Sequence, residues 1–113
     1  MIHDFPLVVG EKTYTLRLGI NAMCRLEEKL DKKVNAELFL LSLVAACRKG
    51  SPRLSDVRLA LWAALGDHHP DISDKEVGQL IDDSGSMVDV AKALAVVMQE
   101  SLLHLYTGEK KGA

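Results

Sequence analysis

The strand-like alternation of this chain ends at Gly19, and from there the apolar residues recur at helical spacing. Before that point, Phe5 to Val9 and Thr13 to Leu18 are rich in β-branched, aromatic and aliphatic residues. Gly10-Glu11 lies between them as a tight turn, which is the pattern of a β-hairpin. In the second arm Tyr14, Leu16 and Leu18 alternate with Thr13, Thr15 and Arg17, so one face is apolar. A two-stranded hairpin alone is marginal in water, and helices must supply its cover. The expected fold is therefore α+β, mainly α: an N-terminal β-hairpin over about residues 5–18, packed against about five α-helices.

The helix boundaries follow from capping chemistry. Asn21 is placed to cap a first helix over 21–30, with Ala22, Met23, Leu26 and Leu30 on its apolar side and Arg25, Glu28, Lys29 and Lys32 opposite. Asn35 caps a second over 36–48. Ser55, with Leu54 and Leu59 spaced as a hydrophobic staple, predicts a third over 56–65. The clearest start is Ile72-Ser73-Asp74-Lys75-Glu76-Val77, a capping box between Ser73 and Glu76 inside a staple of Ile72 and Val77. It opens a helix over 74–84 that Gly85 terminates. Ser86 with Asp89 then starts the last helix, 87–106, whose stripe is Met87, Val90, Ala91, Leu94, Met98, Leu102 and Leu105. Residues 107–113 have no apolar anchor before the terminal Ala113 and are expected to be mobile.

The 113 residues fit one domain, 1–113, and no Pro-, Gly- or Ser-rich linker divides them. At 48% apolar and 27% charged, the composition is that of a globular chain rather than a disordered one. Fourteen Lys plus Arg against sixteen Asp plus Glu leave a net charge of -2, without the basic excess that phosphate neutralisation requires, so no nucleic-acid partner is expected. A helix-turn-helix reading with 74–83 as recognition helix is a remote alternative, because Asp74, Glu76, Asp82 and Asp83 would repel a DNA backbone. No uninterrupted apolar stretch approaches the roughly 18 to 20 residues of a bilayer crossing. The opening residues, Met1-Ile2-His3-Asp4-Phe5-Pro6, lack a basic region and a sustained apolar core, so synthesis in the cytoplasm without export is expected.

Catalytic chemistry finds little support. Asp67, His68, His69 and Asp71 have metal-ligand residue types, but adjacent His in a Pro-containing loop point apart, and an exposed turn is the expectation. Cys24 and Cys47 lie inside apolar helical patterns and are expected to be buried, reduced thiols. Cys47 and His104 are read as a core thiol and a surface imidazole rather than a nucleophile and its base. The glycines fall at turns and helix ends, with no phosphate-cradling arrangement. The expectation is a chain with no catalytic residue, no metal and no cofactor.

Apolar surface is the remaining signal. Leu occurs eighteen times against five aromatic residues, so the interior is aliphatic and adaptable. Leu38, Phe39, Leu40, Leu41, Leu43 and Val44 leave the second helix almost without a polar side; it is either central to the domain or a binding surface. Val96 and Leu103 stand seven apart on the otherwise polar side of the last helix. They are ordinary exposed apolars, or they meet a second copy of the chain, or they grip an apolar stripe on a partner helix. The candidate partner-binding residues are thus Phe39, Leu40, Leu43, Val96 and Leu103.

Four strings also resemble a known family in their order and spacing. They are Gly10-x-x-x-Tyr14-x-Leu16-Arg17 in the hairpin, Asn21-Ala22-x-x-x-Leu26-Glu27 in the first helix, Asp56-Val57-Arg58-x-x-Leu61-Trp62-Ala63-Ala64-Leu65 in the third, and Glu76-Val77-Gly78-x-Leu80-Ile81-Asp82-x-x-Gly85 in the fourth. Together, from Gly10 to Gly85, they resemble the small tail assembly chaperones of tailed phages and of gene transfer agents. The resemblance implies a non-enzymatic role in tail morphogenesis: coating the helical tape measure protein in the bacterial cytoplasm until tail tube subunits polymerise around it. A structural component of the tail tube, retained in the particle, is the alternative it leaves open, and contact with the tail tube protein and self-association are further expectations.

Overall fold

The computed structural model describes residues 3–107. Two antiparallel strands, β1 (Phe5–Val9) and β2 (Lys12–Leu16), pair in a register that sets Val9 opposite Lys12 and Phe5 opposite Leu16. The two residues left over, Gly10 and Glu11, make the turn, and Gly10 takes a φ of 63°, a left-handed conformation that glycine adopts without a Cβ penalty. Alternation then does what the pattern requires: Leu7, Val9 and Leu16 are buried, while Val8 faces solvent. The backbone beyond β2 stays tied to the helices. Arg17 donates its N–H to the carbonyl of Ala64 at 2.8 Å, and the buried Ser101 hydroxyl donates to the carbonyl of Leu18 at 2.6 Å.

Five helices follow: α1 (Ile20–Lys29), α2 (Ala36–Arg48), α3 (Leu54–Leu65), α4 (Asp74–Ser84) and α5 (Met87–Thr107). The α+β, mainly α architecture is as the sequence predicts. The helix at the centre is α3, which touches every other helix and β2. Its small buried residues Ala60, Ala63 and Ala64 let neighbours approach closely, and Val57, Leu61 and Leu65 fill the spaces between them. Helix α2 lies outside α3, along α5 and α1.

Local capping is partly as expected. The Asn35 side chain accepts from the N–H of Leu38 at 2.8 Å, Ser73 and Glu76 form the reciprocal capping box, and Gly85 closes α4 at a φ of 74°. Ser86 accepts from the N–H of Asp89 at 3.2 Å at the start of α5. Two starts differ. Helix α1 begins at Ile20 with Gly19 as its cap, so Asn21 is already helical and exposed. Helix α3 begins at Leu54 behind Arg53, whose carbonyl accepts from Asp56 and Val57 at 3.1 Å, so Ser55 is a helical residue and Leu54 is exposed instead of stapling. In both cases the buried face sets the register and the backbone runs back to the preceding loop without a side-chain cap. Thr107 closes α5, and the rest of the segment expected to be mobile lies outside the described residues.

Long-range polar contacts fix the helix ends. The Glu27 carboxylate accepts from the N–H of Ala36 at 2.8 Å, placing a negative charge at the start of α2. Arg25, expected among solvated groups, instead reaches the C-terminus of α3, donating to the Ala63 carbonyl at 3.1 Å and to Asp67 at 2.7 Å. Its guanidinium lies over Gly66, where a Cβ would stand 2.5 Å from Nε. The Trp62 indole donates to the Ile72 carbonyl at 3.1 Å and lies under the Lys29 ammonium, 4.8 Å from the ring centroid.

Candidate docking surface

The five residues expected to bind a partner divide sharply. Phe39, Leu40 and Leu43 are 9%, 0% and 2% exposed, within the chain's own core. This corrects the expectation for them: they cover the hydrophobic interior and offer no surface to another molecule. Val96 and Leu103 remain half exposed on α5. The outer side of α2 is apolar through Leu38 and Leu41, which the sequence did not distinguish from their buried neighbours.

Between the C-terminal end of α2 and the first half of α5 lies a groove of about 440 Å³. Cys47, Arg48, Gly50 and Pro52 form one wall, and Met87, Val88, Ala91, Lys92, Ala95 and Val96 the other. The first wall exists because the chain turns back sharply at the end of α2. Gly50 takes a φ of 81°, and the N–H groups of Lys49, Gly50 and Ser51 satisfy the carbonyls of Ala45, Cys47 and Ala46. The second wall is held by the Gly85 turn, by the Ser84 hydroxyl donating to the Ile81 carbonyl at 2.6 Å, and by the Ser86 cap. Carbon dominates the lining: small Ala91 and Ala95 make the floor shallow, Val88 and Val96 rise at its edge, and flexible Met87 sits at one end. Its two charged groups, Arg48 and Lys92, are both cationic. Neither has an ion pair or side-chain hydrogen bond among the described residues.

The thiols behave differently from each other. Cys24 is exposed on α1, turned away from the face that buries Ala22, Met23 and Leu26, which corrects the expectation of a buried thiol. Cys47 is half-buried in the groove wall, and burial pushes its thiol pKa up, away from the reactive thiolate. His104 lies far from it along α5, about 20 Å beyond Ala91 at 1.5 Å per residue.

In the loop carrying Asp67, His68, His69 and Asp71, the first three side chains go to different partners. Asp67 pairs with Arg25 at 2.7 Å and Arg17 at 3.6 Å, His68 lies 3.3 Å from Asp4, and His69 packs on Tyr14 with ring centroids 5.4 Å apart. Among the described residues no group of three or more His, Cys, Asp or Glu is gathered as a metal site. Asp4 is held by Arg17 at 2.9 Å, and that hydrogen bond, with a smaller contribution from His68, keeps its carboxyl below the usual carboxylate range. The set joins the N-terminus, the hairpin exit, α1 and the loop after α3. A second cleft, about 430 Å³, lies between Tyr14, His69 and α4, but Glu76 there completes the capping box and Asp83 accepts from Gln79 at 2.9 Å.

No helix of the described residues is long and apolar enough to cross a membrane. No family model matches the chain, and neither a curated protein nor a solved structure is significantly similar to it.

Proposed function

We propose that this chain is a non-enzymatic assembly chaperone of a phage or gene-transfer-agent tail. It binds the helical tape measure protein in the bacterial cytoplasm before the tube closes around it. The observation that carries the reading is the apolar groove between α2 and α5, edged by exposed Val88 and Val96, together with exposed Leu38 and Leu41 on α2, on a framework whose Asp4, Arg17, Arg25, Asp67 and His68 side chains make structural contacts. The resemblance of the four strings supports it independently, and their residues Leu16, Leu26, Leu61, Leu65 and Leu80 are all in the core.

A tape measure helix exposes apolar stripes that aggregate when left uncovered. A shallow aliphatic surface covers such a stripe with little demand on its detailed shape, and small contacts repeated along a long partner add through avidity. Each contact remains weak enough for the advancing tube to displace it. Co-expression tests this directly: a tape measure fragment that is insoluble alone becomes soluble with the chain in excess, and a fragment that stays insoluble contradicts the proposal. Mass spectrometry of purified particles separates a chaperone, absent or substoichiometric, from a tube subunit, which is abundant.

A further inference from the structure

We infer that the groove between the end of α2 and the first half of α5 seats an amphipathic helix whose apolar stripe is flanked by carboxylates. The inference rests on the proposal that the chain binds a helical polypeptide, and it names the seat and the charge of the occupant. The α5 wall from Met87 to Val96 is about 14 Å long at 1.5 Å per residue, so the groove spans about two and a half turns of a helix laid along it. The floor of Ala91 and Ala95, with Val88 and Val96 at the edge, accepts side chains spaced at i, i+3, i+4 and i+7.

Charge decides the occupant. Arg48 and Lys92 line the groove without an ion pair among the described residues, and no carboxylate lines it. Asp89, in the first turn of α5, is exposed but is not part of the lining. Flanking carboxylates on an incoming helix would meet both cations, whereas flanking cations would be repelled. A second copy docked face to face would set Arg48 and Lys92 near their own counterparts, because a two-fold interface pairs a patch with itself. The chain's own residues 108–113 contain Glu109, Lys110 and Lys111, with no apolar residue except Ala113, so they supply neither the stripe nor a net negative charge.

The test uses the full chain and two labelled synthetic helices of about 21 residues, three heptads with Leu at the apolar positions. One carries Glu and the other Lys at the flanking positions. Fluorescence anisotropy at low salt is expected to show the Glu peptide binding roughly ten-fold more tightly than the Lys peptide, with the difference shrinking as salt rises. The doubly reversed variant, Arg48→Glu with Lys92→Glu, is expected to invert the order, and Val88→Asp to abolish binding with unchanged far-UV circular dichroism. Equal binding of the two peptides, binding of neither, or an order unchanged by the double reversal overturns the inference. So does displacement of the Glu peptide by a single-stranded oligonucleotide, or self-association in sedimentation that Val96→Asp abolishes. If the doubly reversed variant still solubilises the tape measure fragment while wild type shows no peptide preference, the seat is wrong and the chaperone reading survives. If wild type fails to solubilise the fragment but prefers the Glu peptide, the chaperone reading fails and the groove assignment stands.

Discussion

Gly66 and Arg25 show how one missing Cβ is used. The guanidinium occupies the space a methyl group would take, and from there it reaches both a C-terminal carbonyl of α3 and the Asp67 carboxylate. Removing the guanidinium with Arg25→Ala loses the Asp67 pair and the hydrogen bond to the Ala63 carbonyl and leaves Asp67 with the longer Arg17 contact, at an expected cost of about 1–2 kcal/mol in urea unfolding. Gly66→Ala displaces the same guanidinium and is destabilising in the wild-type background. In the Arg25→Ala background, Gly66→Ala is expected to be neutral or stabilising by about 0.5 kcal/mol, since its helical φ of −61° suits alanine. Additive costs would contradict the contact. Asp4 supplies a pH prediction. Its folded pKa is depressed by Arg17, so the stability it contributes is fully present above the ordinary carboxylate value and is lost as pH falls through the folded value. Titration followed by NMR should place the Asp4 midpoint below that of an unpaired aspartate, and Arg17→Ala should raise it; a midpoint unmoved by Arg17→Ala contradicts the pairing. The caps at Asn35, Ser73, Gly85 and Ser86 were legible because donor and acceptor lie within a few residues of each other. The roles of Arg25 and Ser101 were not, because their partners stand 38 and 83 residues away in the sequence.

Helix α2 shows where periodicity loses its power. With apolar side chains at five of the six positions from Leu38 to Leu43, every side of the helix reads as a core side. The choice between a central helix and a binding surface is therefore made by its neighbours. Helix α3, rich in alanine, takes the centre, so α2 packs its Phe39, Leu40, Leu43 and Val44 inward and leaves Leu38 and Leu41 outside. The division predicts opposite outcomes at positions only two residues apart. Leu40→Ala should cost about 2–5 kcal/mol through lost burial and a residual cavity, and Leu40→Asp should unfold the domain through an unpaired buried charge. Leu38→Asp should change stability by no more than about 0.5 kcal/mol. Thermal unfolding by circular dichroism decides between these outcomes; a stable, folded Leu40→Asp variant would contradict the packing of α2. The candidate surface was legible only in part: Val96 broke the polar side of α5, but no local pattern marked the groove, which forms where a glycine turn after α2 meets the start of a helix nearly forty residues later.

The assembled chain spends its distinctive polar residues on internal joints. Glu27 holds the start of α2, Arg25 the end of α3, Ser101 the exit of the hairpin, and the Asp4, Arg17, Asp67 and His68 cluster the N-terminal end. Leucines and valines on α2 and α5 stay exposed, and Arg48 and Lys92 in the groove are paired by no carboxylate among the described residues. The proposed function asks this aliphatic exterior to hold another polypeptide. Sedimentation velocity of the purified chain mixed with a tape measure fragment measures this directly. The expected result is a soluble complex containing several copies of the chain per fragment, lost when Val88 and Val96 are both changed to Asp. A chain that sediments as it does alone while the fragment pellets would contradict the proposed function.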